Sequence, residues 1–232
     1  MEASRHRELI VGGHDIEKGR YPYYVSIDKN NGVIVSGVLI APDIVLSAGH
    51  IALDHMDNLT LRVGPYKARG SGENGTTDEV QYTKWVLPTS WAQTGNGLMH
   101  NDYIIFQLTQ VTTQEPVKLN WDPTVPQDDQ TVVAMGLGWL NESFQSPASV
   151  VQEVELLVSN TQKCNETLDP GRNSYQGIID DSMMCTVAPN HTVRDGWYVF
   201  SPILTLISFL SPIILQTPAG ISCYSRSFIN SL

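Results

Sequence analysis

GVLIAPDIVLSAGH, from Gly37 to His50, is the stretch whose reading decides the fold. Two short β-rich runs, residues 37–41 and 43–47, flank Pro42, a residue confined to sheet edges, strand starts and turns. The second run ends on Ala48-Gly49-His50, where small residues carry a histidine out of a strand end. Histidine is the side chain best suited to moving a proton near neutral pH. Taken alone, a strand-end His is more often structural than catalytic, so its role depends on what lies on either side.

Towards the N-terminus, Ile10-Val11-Gly12-Gly13 follows a charged leader, residues 1–9, and precedes a turn-rich segment around Gly19 and Pro22. Residues 23–29 alternate, Asn30-Asn31-Gly32 is a tight-turn signal, and residues 33–40 are apolar and β-branched. Residues 23–40 therefore read as a β-hairpin. Towards the C-terminus, strands are expected over 59–63, 79–86, 103–109, 131–135 and 150–158, with Gly/Asn/Ser-rich loops such as 70–77 and 95–101 between them. A short helical turn is expected near 160–168. Many short strands separated by turn signals indicate an all-β sandwich or a pair of barrels.

The chain of 232 residues is long enough for one large all-β unit or two small domains. Its formal net charge of -10 offers no basic stripe to neutralise phosphates, which argues against nucleic acid or an anionic membrane surface as partner. The six histidines show no metal-ligand spacing, and His50 and His55 lack a grouped carboxylate or thiol. No metal or cofactor is expected. Cys164, Cys185 and Cys223 are too few for a disulfide scaffold. Asn-x-Ser/Thr sequons begin at Asn58, Asn74, Asn141, Asn165 and Asn190, a hint of the secretory route. Residues 1–9 are polar and include Arg5 and Arg7, so they are no signal peptide. A secreted protein is expected, with its true start upstream.

Several of these segments, in order, resemble the trypsin-like (chymotrypsin-fold) serine proteases. Ile10-Val11-Gly12-Gly13 resembles the mature N-terminus of that family, Ala48-Gly49-His50 its Ala-Ala-His-Cys segment, and Asn101-Asp102-Tyr103-Ile104-Ile105 its Asn-Asp-Ile-Ala-Leu segment. MGLGW at 135–139 resembles the Gly-Trp-Gly segment opening the second barrel, and residues 151–164 resemble the Leu-Gln to Cys stretch. The resemblance implies two antiparallel β-barrels, the first over about 10–120 and the second, incomplete, over about 121–195. It implies His50 as general base and Asp102 as the carboxylate that fixes the imidazole tautomer and stabilises the imidazolium. It places Asp195 at the specificity-pocket position, for cleavage after Lys or Arg in protein or peptide substrates. It pairs Cys164 with Cys185 and leaves Cys223 without an obvious partner. The family's bridge beside the catalytic His is missing at both ends, since Ile51 and Ser36 hold those positions.

The resemblance stops near Gly196. No Gly-Asp-Ser-Gly-Gly-Pro occurs anywhere, although oxyanion donors of the kind this motif supplies are worth ~3 kcal/mol each. Ser201 lies six residues after Asp195, but its neighbours Phe200 and Pro202 supply neither the amine-binding Asp nor the oxyanion glycine, and it reads as coincidence. Ile10 follows Leu9, not Lys or Arg, and Phe200 cannot receive its freed amine. From Trp197 to Ser225 there is no charged residue. The stretch 197–215 has the length of a membrane span, weakened by Pro202 and Pro212. A span is the less expected reading, beside a buried helix or strand pair and sequence foreign to the domain, as a retained intron or a frameshift would leave. Residues 196–232 are thus an apolar tail outside the family pattern. The functional expectation is a serine endopeptidase by family, inactive as written, with a non-catalytic protein-binding homologue as the alternative.

Overall fold

The computed structural model describes residues 13–29, 32–53, 56–72, 77–93, 99–122, 124–137, 148–166, 184–187, 198–200 and 213–215. After β1 (His14–Asp15), β2 (Tyr24–Lys29) and β3 (Gly32–Ala41) form the expected hairpin, with Lys29 opposite Gly32. Pro42 and Asp43 make the turn into β4 (Ile44–Ala48), which runs into a 3-10 turn, Gly49–Leu53. β5 (Leu59–Val63) follows as expected.

The single strand expected over 79–86 is divided in two. β6 (Asp78–Val80) pairs with β5, whereas β7 (Tyr82–Val86) pairs with β10 (Tyr103–Leu108). β8 (Ala92–Gln93) and β9 (Met99–His100) form a small ladder of their own. The seven-stranded sheet therefore runs β6-β5-β2-β3-β4-β10-β7, and its two end strands are consecutive in the chain, separated only by Gln81. One bent segment thus bridges both edges and curls the sheet into a barrel, which removes most of its open edge.

The second sheet holds β11 (Thr131–Gly136), β12 (Gln152–Ser159), β13 (Met184–Val187), β14 (Tyr198–Phe200) and β15 (Ile213–Leu215), in the order β14-β13-β12-β11-β15. Its ladders are antiparallel except β11 with β15, which is parallel. The helical turn expected near 160–168 is α1 (Thr161–Asn165), capped by the Asn160 side chain, which accepts from the Lys163 N–H at 3.1 Å. The stretch 197–215, weighed as a membrane span, is extended at 198–200 and again at 213–215, and both pieces pair within this sheet. Among the described residues no helix is long and apolar enough to cross a membrane.

Alternation along the strands separates three cores. Val25, Ile27, Leu39, Val45, Leu61, Ile104 and Phe106 fill the first barrel, and Val132, Ala134, Leu156, Val158 and Met184 pack within the second sheet. Between the two lies a third cluster, including Tyr24, Val38, Leu46, Tyr103, Met135, Leu137 and Val151. At ~25 cal/mol per Å2 of apolar surface removed from water, this layer is what fixes the barrels against each other. Polar links reinforce it: the Leu137 N–H donates to the Tyr24 hydroxyl at 3.2 Å, and the Val151 N–H to the Tyr66 carbonyl at 3.0 Å.

The chain entry is clamped onto the second sheet. β1 pairs with β12, with His14 opposite Glu153. The buried Glu153 carboxylate accepts from the Tyr21 hydroxyl and pairs with Arg20 and His14, each at 3.3 Å. Burial, and then the Glu153 hydrogen bond, push the Tyr21 phenol well above its ordinary range.

Candidate active site

The β4–β10 ladder brings together two residues 52 positions apart. Its last register pair is Tyr103 opposite Ala48, so the chain leaves β4 through Gly49 and His50 just where it enters β10 through Asp102. His50 Nδ1 lies 2.7 Å from Asp102 Oδ2. Against a carboxylate Nδ1 is the donor, which assigns the lone pair that can accept a proton to Nε2. Asp102 is 3% exposed, and the His50 side chain retains 28% exposure, so the carboxylate is sheltered and the imidazole edge reaches solvent. This is the arrangement a general base requires.

Local sequence explains the fit. Asn101 adopts a left-handed backbone with φ 51°, a region Asn tolerates better than most residues, and its side-chain amide donates to the Ser90 carbonyl at 2.9 Å. That bond fastens the 88–91 turn beside Asp102, where Trp91 Nε1 approaches the other carboxylate oxygen, Oδ1, at 3.4 Å. Trp91 was not among the sequence candidates; nothing in its spacing sets it apart. Gly49 replaces the second Ala of the family segment. A Cβ there would stand 2.8 Å from the Tyr103 carbonyl oxygen and 3.0 Å from Asp102 Oδ1, so this backbone approach excludes a side chain.

The two positions of the absent family bridge are filled differently. Ile51 is 2% exposed in the first-barrel core, packed as a hydrophobe. Ser36 is buried and shares a 2.9 Å hydrogen bond with the Tyr24 hydroxyl, while its carbonyl accepts from Ser47 Oγ at 2.8 Å. Cys164 and Cys185 are joined in a disulfide, with Cα atoms 6.3 Å apart, tying α1 to β13. Asp195 and Ser201 lie outside the described residues, as do Ile10, Val11, Gly12 and Cys223.

A second charged group sits in the first barrel. The buried Asp28 carboxylate lies 3.2 Å from Arg69 Nε and 4.0 Å from Arg62 Nη1, and both guanidinium groups also pair with Glu79. Burial pushes the Asp28 carboxyl above its ordinary range against the opposing pull of Arg62. Asp28, Arg62 and Glu79 stand on β2, β5 and β6, and Arg69 in the turn after β5, none of them on the β4–β10 junction that carries His50.

Human granzyme M (Homo sapiens) is 25% identical over 187 residues, covering 77% of this chain and 66% of its own. The vitellin-degrading protease of Bombyx mori is 30% identical over 188 residues, covering 78% of this chain and 65% of its own. The chain thus spans about two thirds of the length of these curated relatives. The solved structure of neuropsin, a serine protease expressed in the limbic system of mouse brain, superimposes with a TM-score of 0.66 at 18% identity, over 78% of this chain and 76% of that one. That likeness concerns the fold, and it agrees with the curled first sheet and the second sheet docked on it. The family described as Trypsin matches from residue 10 to residue 195, spanning the curled first sheet, β11 to β13 of the second sheet and the His50–Asp102 pair, and the chain belongs to that family.

Proposed function

We propose that this chain carries the proton-handling half of a serine endopeptidase and engages protein or peptide substrates without hydrolysing them. The observation that supports this is the 2.7 Å bond from His50 Nδ1 to the buried Asp102, set against a sequence with no Gly-Asp-Ser-Gly-Gly-Pro. In the family's reaction the base takes the proton of a serine hydroxyl as it attacks the peptide carbonyl, then returns it to the leaving amine. The carboxylate holds the imidazole tautomer throughout. His50 and Asp102 are built for that part, and the nucleophile and its oxyanion glycines are missing from the sequence. Asp195 is the proposed partner of a substrate Lys or Arg, through an ion pair in a partly desolvated pocket. The sequons and the Cys164–Cys185 bridge support a secreted destination, since disulfides persist in oxidising compartments.

Two assays on the purified full chain test the reading. Arginine-peptide amide substrates are expected to remain intact, while benzamidine, a non-covalent mimic of the arginine side chain, is expected to bind and to lose affinity in Asp195→Asn. Steady hydrolysis abolished by His50→Ala would overturn the non-hydrolytic part. Binding indifferent to Asp195→Asn would overturn the proposed Lys/Arg preference.

A further inference from the structure

We propose that Asn58 is an N-glycan acceptor, placing a sugar chain on the loop that leaves the His50 turn. The inference rests on the proposed secreted destination. Asn58-Leu59-Thr60 is an acceptor tripeptide with no proline at its centre. Of the residues that begin the five sequons, Asn58 is the one whose side chain is described, and it is exposed, at the tip of a turn. Leu59, by contrast, is 1% exposed, and its burial at the start of β5 anchors the turn that holds Asn58 outward. On the other side the loop is tied down by the Tyr82 hydroxyl, which donates to the Met56 carbonyl at 2.5 Å. The acceptor amide therefore projects from a fixed base, between the 3-10 turn that carries His50 and strand β5.

In the transfer, Asn58 Nδ2 forms a bond to the anomeric carbon of a lipid-pyrophosphate-linked oligosaccharide. The bond from that carbon to the pyrophosphate oxygen breaks, the lipid pyrophosphate leaves with the electron pair, and Nδ2 gives up one proton. A bulky, hydrated chain at this position covers the protein surface around the turn that opens β5.

Asn58 also has a plain conformational role, because φ of 59° suits Asn better than most residues. Variants at Thr60 separate the two, since they keep Asn58 in the turn. The full chain, carried into the secretory pathway of insect cells by a cleavable signal sequence, is to be treated with peptide-N-glycosidase in heavy-oxygen water. The Asn58 peptide is expected to return as a heavy-oxygen aspartate. Thr60→Val is expected to abolish that label and remove one glycan's mass from the intact chain, and Thr60→Ser to preserve both. An unlabelled Asn58 peptide overturns the proposal, whether or not other sequons carry sugar. Benzamidine binding and serine reactivity are read separately, so their outcome is independent of this one.

Discussion

Gly49 lies between His50 and the strand that bears Asp102, and there is no space beside it. In Gly49→Ala the new methyl group would meet the Tyr103 carbonyl at 2.8 Å and Asp102 Oδ1 at 3.0 Å. Overpacking of this kind costs about 1–3 kcal/mol, to be read from the urea midpoint, and an unchanged midpoint would contradict the close approach. Asp102→Ala removes the acceptor of His50 Nδ1, and the downfield imidazole N–H resonance expected of that short bond should vanish from the proton NMR spectrum. Asp28 makes a pH-dependent prediction. Its folded-state value is raised by burial, so its favourable contribution is complete below about pH 3.9, the ordinary value, and is lost as pH rises through the higher folded value. Unfolding free energies measured from pH ~4 upward should therefore fall for the natural chain relative to Asp28→Asn, and parallel curves would refute the assignment. That His50 and Asp102 meet was legible through the family resemblance, because each sits in a short, ordered segment at a strand end. Asp28 and Arg62 were not, because charged residues on a strand read as solvent-facing until the neighbouring strands are known to cover them.

At the scale of elements, the β4–β10 ladder brings His50 and Asp102 together, and its strands follow from short β-rich runs bounded by turn signals. The division of 79–86 into β6 and β7 does not. Both halves have ordinary strand composition, and the switch of partner at Gln81 depends on where β5 and β10 lie in the closed sheet. The stretch 197–215 left a weak membrane span and a buried strand pair open on length and hydropathy, and its described pieces, 198–200 and 213–215, pair as strands beside β13 and β11. The disulfide between Cys164 and Cys185 closes a loop with a sequence separation of 21. In the chain-entropy account such closure stabilises by about 3 kcal/mol, so Cys164→Ser with Cys185→Ser should lower the unfolding free energy by that order. A change below ~0.5 kcal/mol in equilibrium denaturation would mean that the bridge does not constrain the unfolded chain.

Across the whole molecule, two docked β units, an inter-barrel apolar layer and a clamped chain entry hold the His50–Asp102 pair in place. Family membership was legible from four or five short segments in order. What replaced the bridge beside His50 was not, since only packing shows Ile51 in the barrel core and Ser36 bonded to Tyr24. The central claim is the one proposed above, that His50 and Asp102 form a general base and its carboxylate with no serine for them to activate. Labelling of the purified full chain with a serine-directed fluorophosphonate, followed by peptide mass mapping, tests it most directly. The account predicts no adduct on any serine beyond that seen in the denatured chain. An adduct on Ser201 that disappears in His50→Ala would contradict it and identify a working nucleophile.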